Sequence, residues 1–156
     1  MIVEIPKVGP EGAAYDGEEP PSILELEPGT DIRPAGALTY ALQAEIVSRR
    51  LLVRGRIAMP VTLRCARCAV LFSTTLTESS FLRAYPLRDE QVEVDVTPDL
   101  REAVLLRLPS HPRCREDCAG LCPRCGADLN ERPCDCAPAT GSPGWGALDG
   151  LNLDRP

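Results

Sequence analysis

The sequence predicts an α+β fold: mostly antiparallel β, a small meander or open barrel, with one helix and a cysteine-rich module at the carboxyl-terminal end. Three observations predict it. Apolar and polar residues alternate between Leu38 and Leu76, one segment of helical periodicity lies between Thr97 and Pro109, and six of the eight cysteines crowd into residues 114–136. A period of two buries one face of a strand, and spacings of three and four bury one stripe of a helix.

The bulk properties set the frame. A chain of 156 residues makes one compact domain, or one domain with an appendage. Hydrophobic residues at 44% supply a core, and aromatics at 4% make it an aliphatic one. No apolar run approaches the roughly 18 residues that cross a membrane. The start, Met1-Ile2-Val3-Glu4-Ile5-Pro6, has neither the basic nor the apolar region of a secretory signal. The expected location is therefore cytoplasmic, where thiols stay reduced. The net charge of −6 is unevenly placed: −7 over residues 1–32, +6 over 33–68 and −5 over 69–156. An acidic chain is a poor general nucleic-acid binder, but the middle segment leaves room for a local basic face.

Residues 1–36 read as an irregular acidic segment with short strands. Pro20-Pro21, Pro28-Gly29 and Arg33-Pro34 suit loops, and Ile23-Leu24-Glu25-Leu26 could form one strand. Residues 37–109 read as the antiparallel meander plus the helix. Leu38, Tyr40, Leu42, Ala44 and Ile46 alternate, as do Val53, Gly55, Ile57, Met59, Val61 and Leu63 after Ser48-Arg49-Arg50. Gly55 and Pro60 predict a bulge or bend in that second run. Phe72, Thr74 and Leu76 form a third run. In Thr97-Pro98-Asp99 the sequence offers a capping hydroxyl, a proline suited to the first helical position and an acid suited to the positive end of the dipole. Leu100, Ala103, Val104 and Leu108 share a face, and Pro109 stops the helix. Residues 110–151 form the cysteine-rich module, docked on the meander, with Trp145, Leu148 and Leu151 as a possible closing helical turn.

Cys65, Cys68, Cys114, Cys118, Cys122, Cys125, Cys134 and Cys136 make two sets of four, which suits two tetrahedral zinc ions. The module is on this reading zinc-ribbon-like. Cys65-Ala66-Arg67-Cys68 and Cys122-Pro123-Arg124-Cys125-Gly126 have the spacing of knuckles, tight turns whose backbone N–H groups face two sulfurs. Pairs two or three residues apart make poor disulfide staples, whereas structural zinc contributes about 10–16 kcal/mol in small peptides and can order a segment without a core. One grouping joins Cys65, Cys68, Cys114 and Cys118, and separately Cys122, Cys125, Cys134 and Cys136. The rival exchanges Cys114–Cys118 with Cys134–Cys136, and a single ion is a third possibility.

Four thiolates around a dication leave a formal charge of −2. Arg64, Arg67, Arg113, Arg115, Arg124 and Arg132 lie near the ligands in sequence and would balance it, or would contact RNA. His111, the only histidine, is more economically a loop residue than a ligand. Cys118, Cys122 and Cys125 also match the CxxxCxxC spacing of radical enzymes that use S-adenosylmethionine, but no alternating βα units surround them. A thioredoxin-like reading of CxxC fails for the same lack of βαβ context. No acid, base or nucleophile constellation stands out, and no small-molecule substrate is expected.

Leu63-Arg64-Cys65-Ala66-Arg67-Cys68, the segment Asp99–Pro109, the run Gly120-Leu121-Cys122-Pro123-Arg124-Cys125-Gly126-Ala127-Asp128-Leu129-Asn130 and Cys134-Asp135-Cys136 together resemble the YceD family. The resemblance covers about residues 38–151. It implies a bacterial cytoplasmic, non-enzymatic factor tied to synthesis, processing or accumulation of 23S ribosomal RNA, with ribosomal RNA, a large-subunit assembly factor or a ribosomal protein as partner. Arg49, Arg50, Arg54 and Arg56 are the candidate RNA contacts, since arginines on a sheet face can track phosphates. The competing expectation is a thiol redox or metal-responsive regulator.

Overall fold

A computed structural model of the chain describes residues 1–27 and 29–136. In chain order the strands are β1 (Ile2–Glu4), β2 (Ala13–Glu19), β3 (Ile32–Pro34), β4 (Leu38–Val47), β5 (Arg50–Arg64), β6 (Leu71–Pro86) and β7 (Glu93–Asp95), followed by helix α1 (Thr97–Leu106). All pairings are antiparallel. Strands β2 to β6 form one sheet, and β1 with β7 forms a separate ladder. The fold is thus the expected α+β class, mostly antiparallel sheet with one α-helix among the described residues. No helix among the described residues is long and apolar enough to cross a membrane. Trp145, Leu148 and Leu151 lie outside the described residues.

Strand β5 is the spine. Leu51, Val53, Ile57, Met59, Val61 and Leu63 point inward and are buried, as their alternation predicts. One edge of β5 pairs with β6 along its whole length. The other edge is shared, with β4 opposite Arg50–Ala58 and β3 opposite Val61–Leu63. Pro60 sits at the changeover. Its carbonyl accepts a hydrogen bond from Ala35 at 2.9 Å on that edge, so the N–H it lacks falls in the gap between β4 and β3. The expected irregularity lies at Gly55 and not at Pro60. Between Gly55 and Ile57 the register shifts, with Ser79 and Ser80 opposite Arg56. Gly55 also lets β4 approach closely: a Cβ there would stand 2.2 Å from the Ala41 carbonyl oxygen.

The β4–β5 hairpin closes through Ser48 and Arg49, whose φ of 47° and 61° fit the tight turn that matches strand twist. The β5–β6 hairpin closes through Cys65–Val70, so the first knuckle is the tip of a long two-stranded ribbon. Helix α1 covers the inward face through Leu100, Ala103 and Val104. Asp99 anchors it to β6, accepting from Arg83 Nε at 2.9 Å and from the Tyr85 hydroxyl at 2.6 Å.

Three expectations need correction. Ile23–Leu26 is not a strand. Pro21–Leu24 is a 3₁₀ turn that buries Ile23 and Leu24, and Pro20-Pro21 favours such a start. Thr97 is not a side-chain cap. Its amide donates to Asp95 Oδ1 at 2.9 Å, and Asp95 holds the first turn instead. Leu108 packs on the core from beyond the helix end at Leu106.

Candidate metal centres

The cysteine sulfurs meet in two groups, Cys65, Cys68, Cys114 and Cys118 in one and Cys122, Cys125, Cys134 and Cys136 in the other, each with its sulfurs within 4.8 Å of one another. Each tetrad could hold a metal ion. This is the first of the two groupings that the spacing leaves open. It separates Cys118 from Cys122 and Cys125, so the CxxxCxxC spacing is split between two tetrads. His111 is an exposed loop residue outside both.

The two knuckles are copies of one another. Cys65 N donates to Val70 O at 2.8 Å, and Cys122 N donates to Ala127 O at 2.8 Å. Ala69 N and Gly126 N each donate back to the first cysteine's carbonyl at 2.9 Å. Arg67 N and Arg124 N each approach the first cysteine's sulfur at 3.4 Å. The residue after the second cysteine is left-handed in both, with φ of 59° at Ala69 and 72° at Gly126. Only the second knuckle has the glycine that takes this conformation without strain.

In the first tetrad the hairpin tip meets the segment after α1. The Cys65 and Cys118 sulfurs are 3.8 Å apart, and those of Cys68 and Cys114 are 3.7 Å apart. Ala66 N donates to Pro112 O at 2.7 Å and fixes the approach. Cys65, Cys68 and Cys118 are buried, with Phe72 and Cys114 packed against them. This small core is separate from the aliphatic one, and its interior is sulfur. The second tetrad is more open: Cys122 is buried and Cys125 exposed.

Hydrogen bonds split the thiols by acidity. Burial raises the pKa of Cys65, but the backbone N–H groups of Cys68, Cys114 and Arg67 outweigh it and bring the value down to about 6. The N–H groups of Cys125 and Arg124, with the Cys134 thiol, bring Cys122 down to about 6. Cys114 is pushed up to about 12 by burial and by Cys118 and Cys68. Cys136 is pushed up to about 12 by Cys125 and Cys122. At Cys68 the Val70 N–H lowers the pKa, yet burial and the Cys65 and Cys118 thiols raise it on balance. At Cys134 the Cys136 N–H lowers it, but Cys122 and burial prevail. The first cysteine of each knuckle is thus held towards the thiolate, beside Cys68 and Cys114 in one tetrad and Cys134 and Cys136 in the other, whose thiols are held towards the protonated form.

Asn130 is the residue that spacing arguments miss. It lies between Cys125 and Cys134 of the second tetrad, yet its Nδ2 approaches the Cys118 sulfur of the first at 3.6 Å. Its Oδ1 accepts from Ala119 N at 2.8 Å and from Arg115 Nη2 at 2.9 Å. Asp128 holds it, accepting from Asn130 N at 2.8 Å and Nδ2 at 2.6 Å. Arg67 ties the same seam from the other side, donating to Cys118 O at 2.8 Å and accepting from Leu121 N at 3.0 Å. The remaining nearby arginines do other things. Arg64 binds Asp31 Oδ1 at 2.7 Å and also donates to the Ala69 carbonyl of the first knuckle at 3.0 Å, Arg113 approaches the Glu116 carbonyl at 3.5 Å, and Arg124 and Arg132 are exposed.

Arg49, Arg50, Arg54 and Arg56 are all exposed. Arg49 sits in the hairpin turn, paired with Asp89, and Arg54 pairs with Glu45 at 2.6 Å.

A family model described as large ribosomal RNA subunit accumulation protein YceD matches residues 53–152. An uncharacterized protein of Mycobacterium tuberculosis is 36% identical over 154 residues, covering 85% of this chain and 72% of the relative. One from Mycobacterium leprae is 36% identical over 107 residues, or 59% of this chain and 49% of the relative. The large ribosomal RNA subunit accumulation protein YCED homolog 1, chloroplastic, of Arabidopsis thaliana is 37% identical over 62 residues, or 40% of this chain and 19% of that protein. No solved structure matches. The matched span holds the whole of β6, α1 and both tetrads, and on that evidence the chain belongs to the YceD family.

Proposed function

We propose that the chain is a non-enzymatic zinc-binding factor that supports accumulation of 23S ribosomal RNA and assembly of the large ribosomal subunit, with one zinc ion in each tetrad. The meeting of all eight cysteines in two groups of four carries the metal half of this reading. Four thiolates at about 2.3 Å from a tetrahedral ion stand about 3.8 Å from one another, close to the sulfur separations of 3.8 and 3.7 Å in the first tetrad. Soft, all-sulfur donor sets select zinc over hard cations. Zinc here has a structural task, since four protein ligands leave no open position for substrate. The ribosomal half is supported by family membership.

Native mass spectrometry of chain purified without chelator tests the first half, with two zinc ions expected. The ratio of 23S to 16S RNA in a host lacking the gene tests the second. The expected result is a fall that wild-type chain restores and a Cys65→Ser/Cys68→Ser variant does not. A normal ratio in the deletion strain refutes the ribosomal role. The exposure of Cys125 favours one further reading, a metal- or redox-responsive role for the second tetrad. It predicts that mild peroxide strips one ion first and alters partner binding.

A further inference from the structure

We infer that the outward face of the β5–β6 ribbon docks double-stranded RNA, recognised through phosphates and helix shape. The inference rests on the ribosomal reading above and names the form of RNA involved. Alternation along β5 places Arg50, Arg54, Arg56 and Arg64 on the face opposite the core, and register places Arg33 of β3 beside Thr62 on the same side. All five are exposed. Neither strand carries a carboxylate on that side. Strand β5 has no acid, and the one acid of β6, Glu78, turns to the other face and binds Arg107. The outward positions of β6 are instead rich in hydroxyls, with Ser73, Thr75 and Thr77 leading to the bulge at Ser79 and Ser80.

The sheet is therefore divided in charge, although the whole chain is acidic. Asp16, Glu18 and Glu45 lie outward on β2 and β4 and bound the cationic half. Arg54 pairs with Glu45 at 2.6 Å and Arg64 with Asp31 at 2.7 Å. Arg33, Arg50 and Arg56 have no ion pair among the described residues. Two shallow cavities of about 660 and 430 Å³ open on this face. Arg54, Ser79 and Ser80 line the first, and Arg56, Thr39 and Thr77 the second, with Asp16 at the border of both. Guanidinium and hydroxyl donors in a row fit phosphate oxygens.

The form of RNA follows from what the face lacks. Single strands are held by stacking bases on aromatic side chains. No aromatic residue points outward from β5 or β6, because Phe72, Phe81 and Tyr85 all take the inward alternation. A duplex keeps its bases stacked and offers phosphates and 2′-hydroxyls. The row from Arg50 to Arg64 runs about 46 Å at ~3.3 Å per residue. An acidic protein partner would match the charge but would seek a central aromatic or apolar anchor; the middle of this face holds Ala58, Pro60 and Thr62, and its exposed leucines, Leu82 opposite Arg54 and Leu71 opposite Arg64, stand apart towards its two ends.

Fluorescence anisotropy on the full zinc-loaded chain tests this, with a duplex and a single strand of one mixed sequence, ~20 nucleotides long, from about 50 to 200 mM salt. The expected result is duplex binding at least about tenfold tighter than the single strand. Arg33→Glu/Arg56→Glu should weaken duplex binding about tenfold or more and flatten its salt dependence, with zinc content and thermal unfolding unchanged. Arg33→Gln/Arg56→Gln should fall between the two, and Arg113→Glu on the cysteine module should bind as wild type. Equal binding of strand and duplex overturns the duplex assignment. Wild-type affinity in the Arg33→Glu/Arg56→Glu variant overturns the face. Binding of neither RNA by wild-type chain at low salt defeats the RNA contact itself and turns the ribosomal reading to a protein partner.

Discussion

On the proposal of one zinc ion per tetrad, Asn130→Ala should loosen one ion and leave the other alone. The Asn130 amide reaches from the second tetrad's loop to Cys118 of the first, at 3.6 Å, and its carbonyl oxygen accepts from Ala119 N at 2.8 Å. A hydrogen bond to a charged group is worth about 1.5–3 kcal/mol and a neutral one about 0.5–1.5 kcal/mol. Losing both removes about 2–4.5 kcal/mol from the first site. At 1.4 kcal/mol per tenfold, that weakens metal binding there by roughly 30- to 1,600-fold. The second tetrad does not use Asn130 as a sulfur contact. Zinc release from the intact chain to a chromogenic chelator reads the two ions as separate phases. The expected profile has one phase shifted to weaker affinity by about 100-fold and one unmoved. Two unmoved phases, or two shifted equally, would refute the claim that Asn130 supports the first site.

Gly55→Ala should destabilise the chain by about 3 kcal/mol in urea unfolding, because the new Cβ would stand 2.2 Å from Ala41 O and 2.9 Å from Leu42 Cα. A shift of the midpoint by less than a third of that would mean β4 gives way freely. Ala69→Gly should stabilise the zinc-loaded chain by about 0.5–1 kcal/mol, as glycine removes the cost of a left-handed alanine but adds chain entropy; its counterpart is already Gly126. Metal affinity should rise with pH. Cys68 and Cys114 in one tetrad, and Cys134 and Cys136 in the other, have raised pKa values and stay protonated near neutrality. An incoming dication must expel those protons, so affinity should climb by about two decades per pH unit or more at each site and fall further below about pH 6, where Cys65 and Cys122 protonate. Titrations from pH 6 to 8 that show a flat affinity would contradict this.

Most of the sheet is legible because the alternation of β5 resumes in phase across Gly55: every remaining odd position from Leu51 to Leu63 is buried. Pro60 looked like a defect in that pattern, and only the change of neighbour from β4 to β3 shows why the strand tolerates it. Strand β2 was not legible. Ala13–Glu19 carries a glycine and three acids and buries no side chain fully, so nothing in its pattern separates an edge strand from a loop. The turn at Pro21–Leu24 is not legible either, because Ile23-Leu24-Glu25-Leu26 shows alternation too short to tell from one helical turn. Spacing puts one knuckle in each cysteine group but leaves the other two corners open, because whether Cys114 and Cys118 or Cys134 and Cys136 join the first knuckle depends on how distant loops approach. Asn130 is not legible, since its role depends on the close approach of two loops, which no local pattern records.

On the zinc proposal, metal held by sulfur, and not apolar packing, orders residues 114–136. Hydrogen exchange on the zinc-loaded and the chelator-stripped chain tests it most directly. Metal removal should expose the amides of Leu121, Cys122, Gly126 and Leu129, each bonded within this segment or to Arg67, while β4, β5 and β6 keep most of their protection. Unchanged protection of those four amides in metal-free chain would contradict it.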